Sequence, residues 1–182
     1  GNAGLLPLVL LGMVIYGFTR PFPDANMAPL LCQVVDRRHL ATAYRVLNMF
    51  AGVGPFSIPI AKMAGAYVTS CEINAYACEL HEENDRLNKV EDSVRVVRGD
   101  AEELPRIVKS KFDRVLMPHP SQADRFLSTA LEVSKKGALV HYYRHMLGKD
   151  EAEASEKMAE EISGLVPSKT RYVIRKVREV GP

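Results

Sequence analysis

A chain of 182 residues, 47% hydrophobic and 25% charged, is long enough for one domain that buries roughly 70% of its unfolded surface. That excludes a disordered chain and a disulfide-stapled miniprotein. A net charge of +2 is too near neutral to announce a nucleic-acid partner by itself.

Residues 5–18 (LLPLVLLGMVIYGF) carry no charge, but they fall short of the ~20 residues that a membrane helix needs. Pro7, Gly12 and Gly17 interrupt the run, so buried strand or core-helix material is expected. The stretch around Pro21, Pro23 and Pro29 reads as loop. A boundary is expected near Tyr44, with an N-terminal extension over 1–43 and a single domain over 44–182. Cys32, Cys71 and Cys78 form no CxxC pair and leave an odd count. No disulfide framework or metal site is expected, and a reducing cytoplasm is the natural compartment.

From residue 44 onward, short apolar runs alternate with longer amphipathic ones. Strands are predicted over 44–50 (YRVLNMF), 67–73 (YVTSCEI), 93–98 (SVRVVR), 112–117 (FDRVLM), 138–143 (ALVHYY) and 169–180. Helices are predicted from the AGVG turn to about Ala64, from an Asn74 cap to about Asn88, near 102–110, over 122–134 and over 150–164. The outer face of the second helix carries Glu79, Glu82, Glu83 and Arg86. Strands separated by helices mean βαβ units, a parallel sheet and right-handed crossovers. Between Lys169 and Arg178, five of ten residues are basic; this reads as a strand with a solvated basic face, or as a contact for phosphates.

The strongest local signal is NMFAGVGPFSIPIA, residues 48–61. Gly52 and Gly54 follow a strand and open a helix, where bare backbone admits a ligand to the N–H groups and the positive end of the helix dipole. Pro55 suits a first helical turn. Alone, such a loop is equally a structural turn. Glu72 ends the second strand 20 residues beyond Gly52, the distance at which an acidic residue grips a ribose diol. Asp100 ends the third strand, where it either accepts from an adenine amino group or caps the next helix. Strand ends placed side by side at the carboxyl edge of a parallel sheet form a ligand crevice, and an adenosine-containing cofactor follows. A nicotinamide cofactor also fits the Gly52–Glu72 spacing, but nothing after the fourth strand resembles a hydride-transfer site.

Five segments in order, NMFAGVGPFSIPIAK (48–62), CEINAYACELHEENDRLNKVED (71–92), RGDAEEL (98–104), FDRVLMPHP (112–120) and ALVHYY (138–143), resemble the Met-10-like S-adenosylmethionine-dependent methyltransferases. Within that family the segments are most similar to the archaeal tRNA (guanine-37 N1)-methyltransferases. The resemblance spans about residues 45–180. It implies a class I methyltransferase fold: a Rossmann-like α/β sheet, mostly parallel, with helices on both faces and the last strand of such a sheet missing. It implies S-adenosylmethionine over the glycine loop. Asn48, Phe50, Ala51, Gly52, Val53, Gly54 and Pro55 would surround the methionine part, Glu72 and Ile73 the ribose, and Asp100 and Ala101 the adenine. Pro118, His119 and Pro120 would shape the pocket for the target base, with His119 the candidate for removing the guanine N1 proton. Arg38, beside Arg37, would hold phosphate or the base's O6, or both are plain surface charges, and His141 reads as a packed strand residue. The resemblance also implies tRNA as substrate through its anticodon loop; from the short apolar run and the cysteine spacing, no membrane and no metal are expected.

Three departures matter. Asn48 stands where the family has Asp, which keeps a hydrogen bond but loses charge pairing. Pro118 stands where the family often has Asn. The aminocarboxypropyl transferases of wybutosine synthesis carry a different, Gly-Tyr-like turn there, so Pro-x-Pro leans toward methyl transfer. Upstream, residues 37–42 only faintly match the family's Arg-Leu-(A/S)-Thr-Glu stretch, and no tRNA-binding domain is matched. Aminocarboxypropyl transfer, a partner protein or separate tRNA-binding domain, and a non-catalytic scaffold or subunit are the alternatives.

Overall fold

In the computed structural model residues 44–174 are described; the apolar run over 5–18, Cys32, Arg37 and Arg38 lie outside them. The expected alternation is realised as β1 (Arg45–Asn48), α1 (Ser57–Ala64), β2 (Tyr67–Glu72), α2 (Ala75–Asn88), β3 (Val94–Arg98), α3 (Leu104–Ile107), β4 (Phe112–Met117), α4 (Ala123–Glu132), β5 (Ser134–Tyr142) and α5 (Glu151–Leu165). Among the described residues the strands form one five-stranded sheet in the order β3-β2-β1-β4-β5, and every pairing is parallel. The chain starts mid-sheet, winds outward through β2 and β3, then returns to the other side of β1. The order therefore reverses between β1 and β4, where ligands bind in open α/β sheets.

The central strands β1 and β4 are buried almost throughout because both faces of the sheet are covered there, whereas β3 and β5 at the edges carry Arg and Lys on exposed positions. Val46, Val68, Val94 and Leu116 pack on one face with Phe56, Ile60 and Ala61. Leu47, Cys71, Val115 and Met117 pack on the other with Leu104, Phe126, Leu127 and Ala130. The termini of α2 follow from its sequence. Asn74 Oδ1 accepts from the backbone N–H of Tyr76 and Ala77 at 2.9 and 3.2 Å, and Lys89 ends the helix in the left-handed region at φ 58°.

Two expected elements differ. The helix near 102–110 is a 3-10 turn over Ala101–Glu103 followed by the short α3, because Val108 is already extended on the way to β4. Of the strand expected over 169–180, residues 169–174 form none. Thr170 N–H donates to the Pro167 carbonyl in a turn and Val173 is 76% exposed. Basic residues interleave that apolar run too loosely to give it a face to bury. The rest of that run lies outside the described residues.

Candidate functional site

The loop after β1 is held from below before anything approaches it from above. Asn48 is fully buried; its Nδ2 donates to Ser57 Oγ at 3.1 Å, and Ser70 Oγ donates to the same oxygen at 2.7 Å. One amide and two hydroxyls thus tie the end of β1 to β2 and to the first residue of α1. The loop N–H groups reach alternately to both neighbouring strands, Met49 to the Leu116 carbonyl at 3.0 Å and Ala51 to the Cys71 carbonyl at 2.9 Å. Gly54 N–H then closes the turn on the Ala51 carbonyl at 3.1 Å.

The two glycines serve different neighbours. At Gly52, φ +53°, a Cβ would meet nothing within 4 Å, so the side of the loop where a side chain would stand is open. At Gly54, φ +97°, a Cβ would lie 2.8 Å from Cδ2 and Nε2 of His81 and from Ile58 Cδ1. Gly54 therefore lets the loop lie on α2, and Gly52 leaves the upper side open.

Glu72 ends β2 directly across from the loop. Its Oε2 accepts from Gly52 N–H at 2.8 Å and its Oε1 from Asn74 N–H at 2.9 Å. Each carboxylate oxygen has a second lone-pair direction, and these suit a diol. Beside it Ile73 is 66% exposed, an apolar side chain standing next to a carboxylate. Asp100 Oδ1 accepts from Glu102 N–H at 2.9 Å, so the capping alternative is realised for that oxygen. Ala101 is buried. The Cys71 thiol is pushed up to about 12, chiefly by burial and then by the charges of Glu72 and Asp100. It is a packing group, not a nucleophile.

At the end of β4, His119 N–H donates to the Met117 carbonyl at 2.8 Å, and its half-buried ring stands edge-on to Phe50, centroids 5.0 Å apart. Phe50 rests in turn on Phe126 at 4.9 Å. The Pro118–His119–Pro120 turn is braced from the segment after β5. His145 N–H donates to the Pro120 carbonyl at 3.1 Å and Arg144 Nη1 to the Ser121 carbonyl at 2.9 Å. Arg144 is itself held by Glu161 and Asp124, each at 3.1 Å.

The fold thus brings Phe50, Gly52, Glu72, Asp100 and His119 to one edge of the sheet. His141 lies apart from them, its Nε2 3.0 Å from Nη1 of buried Arg114. Sequence reasoning missed Arg144 and also the α2 pair that grips the loop. In that pair His81 Nδ1 lies 3.2 Å from the Gly52 carbonyl, and Asn84 Nδ2 donates to the Val53 carbonyl at 3.0 Å. Polar residues three apart on the otherwise packed side of α2 were the available signal. Among the described residues no cluster of His, Cys, Asp and Glu is placed to hold a metal ion, and no helix is long and apolar enough to cross a membrane.

A parallel sheet with its switch at β1/β4, a glycine loop after β1 and a carboxylate ending β2 define a Rossmann-like nucleotide-binding fold, the fold that class I S-adenosylmethionine-dependent methyltransferases share. The chain belongs to the family of the TRM5/TYW2 methyltransferase domain, whose profile matches residues 36–168. This is a family of S-adenosylmethionine-dependent tRNA-modifying enzymes. The chain is 44% identical over 98 residues to the tRNA (guanine(37)-N(1))-methyltransferase Trm5b of Pyrococcus abyssi, which covers 54% of this chain and 28% of that protein. It is 37% identical over 98 residues to the tRNA(Phe) (4-demethylwyosine(37)-C(7)) aminocarboxypropyltransferase of Pyrococcus horikoshii, covering 54% and 34%. The crystal structure of M. jannaschii TYW2 in complex with AdoMet superposes with a TM-score of 0.64 at 28% identity, over 80% of this chain and 68% of that one. The chain thus matches about a third or less of the length of these two curated relatives.

Proposed function

We propose that this chain transfers the methyl group of S-adenosylmethionine to N1 of guanine 37 in tRNA, the reaction named for the Pyrococcus abyssi relative. The observation that carries this reading is the meeting of the glycine loop and the Pro118–His119–Pro120 turn across Phe50, with the two rings 5.0 Å apart. The open side of Gly52, the spare lone pairs of Glu72, exposed Ile73 and the carboxylate of Asp100 fit the donor's methionine, ribose and adenine in that order.

When bound, S-adenosylmethionine supplies a methyl carbon activated by its sulfonium and leaves as S-adenosylhomocysteine. The residues of this chain do the rest. Phe50 to Pro55 wrap the amino-acid end, with Asn48 bracing the loop from beneath. Glu72 orients the ribose hydroxyls while keeping the loop closed through Gly52 N–H. Pro118 and Pro120 stiffen the turn that receives the base, and His119 takes the N1 proton as the ring nitrogen bonds to carbon.

A second reading is favoured by the aminocarboxypropyltransferase relative: the same site could break the sulfonium's bond to the aminocarboxypropyl group instead. One assay separates them. A tRNA transcript with guanine at position 37 is incubated with S-adenosylmethionine and the chain, and the modified nucleoside is identified by mass spectrometry. A methylated guanosine is expected, reduced about ten- to a hundredfold in rate by Glu72→Ala, since a charged hydrogen bond is worth roughly 1.5–3 kcal/mol. An aminocarboxypropyl product would install the second reading. Donor binding without transfer would make the chain a scaffold or subunit.

A further inference from the structure

Helix α2 carries two buried groups that this reading leaves without a task. His81 and Asp85 stand one turn apart, 0% and 2% exposed, with His81 Nε2 3.6 Å from Asp85 Oδ1. Neither atom has a hydrogen-bond partner among the described residues. On the ring's other side Nδ1 lies 3.2 Å from the Gly52 carbonyl oxygen. A carbonyl only accepts, so Nδ1 carries a proton. That leaves Nε2 facing the carboxyl oxygen with no room for a water between. If both atoms were bare, two sets of lone pairs would oppose each other away from solvent, which costs more than either unpaired group alone. One further proton, on Nε2 or on Oδ1, turns the opposition into an attraction, and closing the 3.6 Å gap by a few tenths of an ångström makes it a hydrogen bond.

We propose that His81 and Asp85 form a proton-dependent lock on the glycine loop. With the shared proton present, His81 holds the Gly52 carbonyl. With it gone, the ring's remaining proton moves from Nδ1 to Nε2, donates to ionised Asp85 and releases the loop. The ring also fills the space that a Gly54 side chain would take, so ring and loop shift together. Gly52 is thereby bracketed, its N–H held by Glu72 and its carbonyl by His81. The inference rests on the cofactor reading of this loop and adds a regulatory step to it.

The charges facing the pair are Glu82 and Arg86 on α2, Glu72 at the end of β2 and Glu91 in the turn after α2. Burial dominates at both groups. It pushes Asp85 up to about 6, with Glu82 and Glu91 adding to the rise and Arg86 opposing it. It pushes His81 down, against the Gly52 carbonyl, Glu72 and Glu82. The folded chain therefore keeps a proton that an unfolded Asp gives up near ~3.9, and the lock weakens as pH rises through about 6.

The test is NMR of the His81 ring nitrogens and the Gly52 and Gly54 amides in the whole chain, from about pH 5 to about pH 9. They are expected to titrate together, with Nδ1 protonated at the low end and Nε2 alone at the high end. In Asp85→Asn the side-chain amide donates to Nε2 in place of the shared proton. In Asp85→Leu, Nε2 faces no charge. In both variants the loop amides are expected to hold their low-pH positions throughout. Calorimetric affinity for S-adenosylmethionine should fall about tenfold across the range in the native chain, the loss of one hydrogen bond, and stay level in both variants. A ring that keeps its Nδ1 proton at every pH, loop amides that do not follow it, or variants that titrate like the native chain would overturn the lock. If the NMR behaves as expected but S-adenosylmethionine binds at no pH, the cofactor reading fails and the lock stands.

Discussion

At the scale of single residues, the two loop glycines part company, and substitution should separate them. Gly54→Ala places a Cβ in the left-handed region, 2.8 Å from the His81 ring and Ile58. Backbone strain and overpacking together are expected to cost about 2–4 kcal/mol, read as a lower urea midpoint with unchanged slope. Gly52→Ala meets no atom, so it should cost only about 1 kcal/mol of backbone strain while obstructing S-adenosylmethionine. Equal losses of stability would refute this division. The sequence showed the loop and the spacing to Glu72, but not which glycine was open. His81 meets Gly54 only once α2 has folded back over the loop. Asn48 was expected to face the cofactor, yet it is buried against Ser57 and Ser70, small hydroxyls that announce nothing in one dimension.

The elements themselves were far more legible. Where a strand is covered on both faces, as in β1, β2 and β4, its apolar run marks it within a few residues. The signal fades where burial fades. At 102–110 the helical reading overran Val108, and at 169–174 an apolar run interleaved with Lys and Arg stayed unpaired. Helix α2 was also given its start by one side chain, and that is testable. Asn74→Ala removes both cap bonds, to Tyr76 and Ala77. It keeps the backbone N–H that Glu72 accepts. A loss of about 1 kcal/mol is expected, seen in denaturant unfolding. Asn74→Asp should restore most of it, because aspartate caps as well as asparagine. Failure of Asp to rescue would mean that the amide matters for something other than capping.

For the whole molecule, the decisive feature is that no single element owns the site. Its residues come from the ends of β1, β2, β3 and β4, four of the five strands of a sheet that carries one apolar layer on each face. A ligand seated there binds only when those strands are in register, and it must therefore stabilise the fold as a unit rather than one loop. At a concentration 100 times its dissociation constant, S-adenosylmethionine should add about 2.7 kcal/mol. For a domain of this size, at roughly 2–4 °C per kcal/mol, the unfolding temperature should rise by about 5–10 °C. The rise should grow with the logarithm of ligand concentration and shrink in Glu72→Ala. NAD, which shares only the adenosine half, should give a smaller shift if the loop holds the methionine end of the methyl donor. An equal or larger shift with NAD would count against the methyl-donor reading, whereas a shift confined to S-adenosylmethionine would tie the glycine loop, the β2 carboxylate and the β4 turn into one site.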